Sequence, residues 1–570
     1  MKSRRGRAIP RPEAGTEPGP VAQIREAAQA LLSEGRTEDA FEYFLAALAA
    51  VLRKNTELEL LLAKLRRERV ASRSERISPE QLALLLEELE QLGTAEPELD
   101  GVAEAREDAT LDQDIRDSKA ADGGSEDRPR RRNGSWRTCQ VEHQIHQVEI
   151  ADAERICTRC GREKKGIGAD ITRTIEYVPA HFVEHEYHLE KYACGTCKQG
   201  VSTAPAPAKV IERSAADASV LAHIVVSKYA DHTPLHRLHR IYERSGVEIP
   251  VSTLADWVAG VADRIEPLVD VLSARMQRAH VVRTDATGLK VLDPCSSENV
   301  VRGTMWCYVG DDRDVVFRYT PTGEGASGPW EFLAGRKGYI QADAANVFDR
   351  LFNGKAASAV EVGCWAHARR KFFVLSDTDC RVAYPLQLIR RIYRLEDLAD
   401  VKRMGPQERA ALRTERTQAT LDKLKRWLVA TAANEPPSSE LARAAAYCLN
   451  HWTALGRFVD DVRLSPDNNL CEQQLRDIAL GRKNYLFAGS HDAARRTATL
   501  YSLMRTCAQH GVAPLPYLTD VLRKLAHGWD HVRLEELLPD RWQLLHGAAS
   551  TRLDATTPIP AARGPTSLTV

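Results

Sequence analysis

Residues 281–292 read VVRTDATGLKVL, an apolar strand interrupted by one acidic residue, Asp285. Val281, Val282, Leu289 and Val291 frame it, and this β-branched content favours a pleated strand. TMWCYVGD (304–311) and DVVFRYT (314–320) have the same character and follow closely, so the three read as consecutive antiparallel strands. GYIQAD (338–343) reads as a fourth strand ending on Asp343. Further on, SPDNNLCEQQLRDIAL (465–480) reads as a helix, with Ser465 or Asp467 as N-cap. There Cys471, Leu475 and Ile478 recur at helical spacing and face the core, which leaves Glu472 one step around, at the edge of the sheet. Strands interleaved with helices make this part of the chain α/β.

Asp285, Asp343 and Glu472 thus fall on two strands and a helix, an arrangement able to hold two divalent cations about 4 Å apart for phosphodiester chemistry. Carboxylate oxygens suit Mg2+ or Mn2+. With 79 acidic residues in the chain, some such triple always exists, so spacing alone does not single this one out.

Working outward, residues 385–460 are rich in Leu, Arg and Ala and read as helix. Upstream, Asp217 to about Leu272 suggests three helices: Thr233-Pro234 opens one, Gly246 closes it and Ser252 caps the next, with Leu254 and Trp257 as core. The spacing is compatible with a helix-turn-helix and equally with a helical connector. Further upstream, Cys157-x-x-Cys160 and Cys194-x-x-Cys197 form two knuckles separated by 33 residues. Paired knuckles complete a closed tetrahedral Zn2+ site, which makes the role structural. His181, His185 and His188, in the intervening hairpin-like stretch, read as surface or strand residues rather than ligands.

From Val21 to Leu92 the chain reads helical. A heptad frame places Phe41, Leu48, Asn55 and Leu62 at a, and Phe44, Val51, Leu58 and Leu65 at d. One core Asn suits a parallel dimeric coiled coil, while an intramolecular helical hairpin fits the same residues. The arginines that follow, among them Arg66, Arg67 and Arg73, fit phosphate contacts or a solvated helix face.

The bulk composition, 43% hydrophobic and 28% charged, is that of a globular multidomain chain. No apolar run approaches the roughly 18–20 residues that span a membrane, and the Arg- and Pro-rich start does not resemble a secretory signal. Twelve cysteines, four of them in matched pairs, suit a reducing, cytoplasmic setting. The formal net charge is zero, but residues 80–127 carry 16 acidic and 3 basic side chains, leaving the rest at 76 basic and 63 acidic. A polyanion responds to those regional charges more than to their sum.

RTDATGLKVL (283–292), GYIQADAANVFDRLF (338–352), GCWAHARRKFF (363–373) and SPDNNLCEQQLRDIALGRKNYLFAGS (465–490) together closely resemble the transposases of insertion-sequence family 66. KYADHTPLHRLHRIYERSGVEIPVSTLADW (228–257), GVAPLPYLTDVL (511–522) and EELLPDRW (535–542) extend the resemblance to roughly residues 40–545. It implies a ribonuclease-H-like DDE core with Asp285, Asp343 and Glu472 as catalytic triad and Mg2+ ligands, and a helical insertion over about 377–460. It implies Arg482, Lys483 and Asn484 near the scissile phosphate, and Cys364 and His367 bracing the site, although a core Cys and a satisfied His fit as well. It further implies double-stranded DNA as partner (terminal inverted repeats and target), a homodimer or larger assembly on DNA, small companion proteins of the same element, and a bacterial, nucleoid-associated location. Three departures stand out: Asp285 precedes Ala286 where the family reads Asp-Glu-Thr, Asp343-Ala344-Ala345 replaces Asp-Gly-Tyr, and Val70-Ala71 replaces Phe-Gly.

The resulting layout is a basic N-terminus and first helix (1–35), a coiled-coil-like arm (36–92), an acidic-to-basic linker (93–135), a zinc-binding β module (136–203), a helical segment (204–275), the DDE core (276–510), a C-terminal helical segment (511–546) and a disordered tail (547–570). Two functions follow: an active Mg2+-dependent transposase performing 3′-end cleavage and strand transfer, or a zinc-containing DNA-binding protein with an inactive core. A third possibility is another two-metal nuclease of the same fold. The zinc reading is checked by metal analysis. One equivalent of Zn2+ per chain is expected in freshly purified, reduced protein, and its removal is expected to unfold residues 136–203, which are too few to form a core of their own.

Overall fold

The computed structural model describes residue 33 and residues 101–122, 159–162, 180–193, 201–321, 328–353 and 358–546. The heptad arm, the arginines after it, three of the four paired cysteines and the tail lie outside the described residues. In chain order the main elements are α1 (Gly101–Asp122), β1 (Lys191–Ala193), β2 (Val201–Thr203), α2 (Ala218–Tyr229), α3 (Leu235–Arg244), α4 (Val251–Arg278), β3 (Val281–Leu292), β4 (Val300–Gly310), β5 (Asp314–Thr320), β6 (Gly338–Gln341), β7 (Ala359–Val362), α5 (Trp365–Phe373), α6 (Ala383–Val401), α7 (Gln418–Asn434), α8 (Glu440–Asn450), α9 (Asn469–Tyr485), α10 (His491–Gln509) and α11 (Pro514–Ala526). No helix among the described residues is long and apolar enough to cross a membrane. The chain divides into two compact units, Lys119–Cys364 with Thr453–Val570, and Met1–Ser118 with Trp365–Trp452.

The first unit holds a mixed five-stranded sheet in the order β5-β4-β3-β6-β7. β3, β4 and β5 run antiparallel, as the pattern of residues 281–320 leads one to expect, while β6 and β7 join parallel to β3. β7, read from only four residues of mixed polarity, has too weak a pattern to be seen in sequence. From Thr304 to Gly310 every residue of β4 is buried, so both faces of the sheet are covered.

The helices that cover it also solve an edge problem. β5 is an outer strand, and its Val315 and Phe317 N–H groups donate to Thr506 Oγ1 (3.0 Å) and Ser502 Oγ (2.8 Å) of α10. Two hydroxyls thereby replace a missing strand and close an edge open to pairing with another chain. Behind the sheet, α4 ends against Arg336, whose buried guanidinium donates to the carbonyls of Met276 (2.6 Å) and Ala279 (2.6 Å). A cation there satisfies otherwise orphaned carbonyls and complements the helix dipole. Burial pushes its pKa down to about 10.

The three helices expected between residues 217 and 272 are α2, α3 and α4. Asp217 caps α2 through the Ser219 N–H, Gly246 closes α3 at φ +87°, and the cap of α4 is Pro250 rather than Ser252. Leu254 is buried and Trp257 half-buried. Of the expected zinc-module hairpin, the described residues 180–190 carry no regular structure, and β1 pairs antiparallel with β2.

The second unit is helical. Its core includes Trp365, Phe372, Leu388, Ile392, Leu424, Leu428 and Ala445. Between α6 and α7 a π-helical turn, Arg413–Thr417, brings Arg413 inside, where its Nε and Nη2 donate to the two Glu396 oxygens at 2.8 Å each. Arg409 donates to the same carboxylate at 2.8 Å. α1 corrects an expectation: within the stretch read as linker, a helix docks on this unit. Leu111 and Ile115 pack against Leu395 and Leu398, and Arg391 donates to Asp108 (2.5 Å) and Glu107 (2.7 Å). Acidic composition signals solvation only while no complementary surface exists, and here α6 provides one. Glu396→Ala is expected to destabilise the protein by about 3–5 kcal/mol, because it strands a buried guanidinium. The readout is a lowered urea midpoint of the full chain.

Candidate active site

The site is built from the middle of the sheet outward. The parallel pairing of β3 with β6 ends at Arg283 and Gln341, and each candidate aspartate stands two residues beyond that pair, Asp285 on β3 and Asp343 after β6. Alternation along a strand returns a side chain to the same face every second residue. Arg283 and Gln341 share a face, since Arg283 Nη1 donates to Gln341 Oε1 at 2.7 Å. Asp285 remains half-buried, and its Oδ1 accepts from the Ala286 N–H at 2.7 Å. Asp343 is also half-buried, and its Oδ1 accepts from the Ala345 N–H at 3.1 Å.

The third acid arrives on α9. The segment before this helix is fastened by buried polar side chains. Arg283 Nη1 donates to the Asp467 carbonyl (2.8 Å), Gln341 Nε2 to the carbonyls of Ser465 (2.8 Å) and Gly363 (3.0 Å), and Asn468 Nδ2 to the Thr284 carbonyl (2.8 Å). The Asn468 N–H points to Cys364 Sγ at 3.3 Å. Asn468 therefore occupies the N-cap position with its side chain directed to β3, while Asp467 accepts from the Asn469 N–H at 3.1 Å. Ser465 does not cap this helix. Glu472 falls in the first turn.

Its neighbour Cys471 locks that turn to the sheet. The thiol donates to the Cys307 carbonyl at 3.6 Å, and Cys307 lies directly opposite Asp285 in the β3–β4 register. Burial pushes the Cys471 pKa well up, and the Cys307 hydrogen bond and the Asp285 charge act in the same direction. Cys471, Leu475 and Ile478 are buried as the helical spacing requires. One sulfur thus ties the helix bearing Glu472 to the strand level bearing Asp285, and a carboxylate oxygen of Glu472 lies within 4.8 Å of Cys364 Sγ.

The remaining candidates take different places. Arg482 hydrogen-bonds the Gly288 carbonyl of β3, Lys483 is exposed, and Asn484 Nδ2 donates to the Leu480 carbonyl at 3.3 Å. Cys364 ends the sheet unit in a buried position, and half-buried His367 lies in the first turn of α5, in the helical unit. Cys160 is exposed in a turn, whereas Cys157, Cys194, Cys197, Arg66, Arg67 and Arg73 lie outside the described residues. Sequence reasoning missed Arg283, Gln341 and Asn468. For Arg283 and Gln341 a charged or amide side chain inside an apolar strand was the signal, and for Asn468 its place just before a helix; neither names a partner.

Residues 213–496 match the transposase IS66 family, residues 502–539 the IS66 C-terminal element, and residues 154–198 the zinc-finger binding domain of transposase IS66. These matches support a transposase or DNA-binding role, and the α/β core with its mixed sheet is consistent with a transposase core. The chain belongs to the IS66 transposase family. Its relatives include two Sinorhizobium fredii proteins that are described only as uncharacterized. The protein y4hP is 31% identical over 514 residues, covering 85% of this chain and 88% of that one. The protein y4qI is 31% identical over 542 residues, covering 91% and 94%. The zinc-finger match spans all four paired cysteines and supports a zinc site there.

Ala344 occupies a left-handed conformation, φ +60°, between Asp343 and Ala345. A Cβ in that region is strained, and only glycine adopts it freely. Ala344→Gly is therefore expected to stabilise the protein by about 1 kcal/mol while leaving the Asp343 carboxylate in place. A raised thermal midpoint is the check.

Proposed function

We propose that this chain is an active DDE transposase, which cleaves the 3′ ends of its element and joins them to target DNA. One observation carries the reading: Asp285 and Asp343 extend the same register step beyond adjacent parallel strands, and the helix bearing Glu472 is pinned to those strands by buried hydrogen bonds. A mixed sheet with two acids at its centre and a third on a packed helix supports the ribonuclease-H-like reading of the core.

The donor set fits two Mg2+ ions, because all three side chains offer hard carboxylate oxygens and both aspartates stay half-buried, within reach of solvent. Bound divalent cations supply Lewis-acid polarisation of the phosphodiester and activation of the attacking water or 3′-hydroxyl. The chain's own part is positional. Arg283 and Gln341 hold the two strand ends level, and Cys471 and Asn468 set the height of Glu472. Each carboxylate would lend charge and a ligand oxygen to the shared cations, so losing any one acid weakens the whole site. Exposed Lys483 offers positive charge for DNA phosphates. The zinc module and the arm with Arg66, Arg67 and Arg73 would recognise the terminal repeats, with a dimer or larger assembly bringing two ends together.

Asp285→Asn, Asp343→Asn and Glu472→Gln are each expected to retain binding of an end-containing duplex in a gel shift. Each is expected to lose 3′-end cleavage and strand transfer by about a thousandfold or more. Asp349→Asn is the matched control: exposed Asp349 should leave activity within about tenfold. Asp477 is a poorer control, because Arg505 pairs with it. A triad variant cleaving as fast as the parent would overturn the assignment. A parent that binds ends yet never cleaves them would favour the zinc-containing DNA-binding protein with an inactive core.

A further inference from the structure

The end of α9 presents an outlier that the triad does not use. Leu486 has φ +55° and ψ −42°, and the Phe487 N–H donates back to the Tyr485 carbonyl at 2.6 Å. That i to i+2 bond with positive φ is a γ-turn of the rare, strained hand, here built on an apolar side chain. The turn buries nothing in return. Leu486 is 62% exposed and Phe487 45% exposed.

Both flanks hold the turn rigid. On the helix side, Tyr485 folds back over Gly481, where a Cβ would stand 2.6 Å from the tyrosine Cζ, and its hydroxyl hydrogen-bonds that of Tyr501. On the other side Ala488 joins β3, donating to the Lys290 carbonyl (2.9 Å) and accepting from the Leu292 N–H (2.9 Å). Exposed Lys483 and Lys290 lie on the two segments that flank the turn, while Lys228 Nζ, 4.2 Å from the Tyr485 ring centre, is half-buried and burial pushes its pKa down to about 8. The turn returns the chain to β3, but that connection does not call for an exposed leucine at its strained position, and strain held by its surroundings clusters at functional positions.

We infer that Leu486 and Phe487 form an apolar wedge that enters the base stack of the bound DNA end and unstacks a base several base pairs from the point of cleavage. The inference rests on the transposase reading. Its support is the pairing of a rigid apolar tip with flanking lysines, since phosphates take the lysines while only unstacked bases offer an apolar face between them. The tip closes the far end of the element that carries Glu472, about 21 Å along the helix from that acid and so roughly six base pairs away along a duplex. A second protein is a poorer occupant. Stable protein interfaces cover about 800 Å² per partner, and a tip of two side chains offers far less.

The test uses the full-length protein and end-containing duplexes carrying 2-aminopurine singly at each position within about ten base pairs of the cleaved 3′ end on either side. The parent is expected to raise the fluorescence at one or two adjacent positions. Leu486→Gly combined with Phe487→Ala should abolish that rise while weakening gel-shift affinity by no more than about threefold. Phe487→Trp should preserve it. Leu486→Gly alone relieves the turn and should not lower the thermal midpoint, so loss of signal is distinguishable from misfolding. A parent that shifts the duplex without a fluorescence rise, or a double variant that keeps the rise, overturns the wedge alone. A parent that fails to bind the duplex overturns the transposase reading with it. A double variant that changes sedimentation but not fluorescence would make the tip a contact between copies of the chain, and the wedge would again be wrong.

Discussion

The guanidinium of Arg283 is only 3% exposed, yet it reaches three separate parts of the chain. It donates to both Asp312 oxygens (2.6 and 3.0 Å), to Gln341 on the neighbouring strand, and to the carbonyl of Asp467 before α9. Taking such a charge out of water costs several kcal/mol unless its donors are met. The surrounding chain is thereby constrained: β6, the turn after β4 and the approach to α9 must all supply acceptors at once to the donor on β3. The level of the strand ends, and with it the relation of Asp285 to Asp343 and to the first turn of α9, follows from that requirement. A hydrophobic contact in the same place would tolerate sliding, because apolar burial has no direction.

The same device recurs in both units. In the sheet unit Arg336 gathers the end of α4 beside the start of β3, and in the helical unit Arg413 and Arg391 draw the Glu396 and Asp108 carboxylates inward. Buried pairs of this kind are weak evidence for added stability, since well-packed apolar residues often serve as well. Their value here is register. Each guanidinium has a fixed fork of donors and accepts only one alignment of the elements around it.

Two positions on the segments that carry the candidate acids have backbone strain, Ala344 after Asp343 and Leu486 at the end of α9. They differ in what the family resemblance says of them. At Ala344 the related motif has glycine, so the alanine is a local departure with an energetic cost. At Leu486 an exposed apolar side chain sits in a conformation it does not favour, held by packed and hydrogen-bonded neighbours, and that combination is what gives it meaning.

Much of the architecture was legible in the residues themselves. Short runs rich in β-branched and aromatic residues mark β3, β4, β5 and β6, and the 3.6-residue spacing of Cys471, Leu475 and Ile478 puts the right face of α9 inward, because helical periodicity records which side of a helix is buried. The short motifs around Asp285, Asp343 and Glu472, and the paired cysteines, identify the family for the same reason: they are local and their order is linear. The rest was decided by contacts between distant segments. β7 is too short to show a period, and α1 looks like solvated linker until α6 supplies arginines for its acids. The edge of β5 is closed by hydroxyls nearly two hundred residues later in the chain. An arginine, a glutamine and an asparagine far apart in sequence form one buried network, and no local pattern announces it, because a hydrogen bond is specified by the position of its partner and only the folded chain brings the partners together.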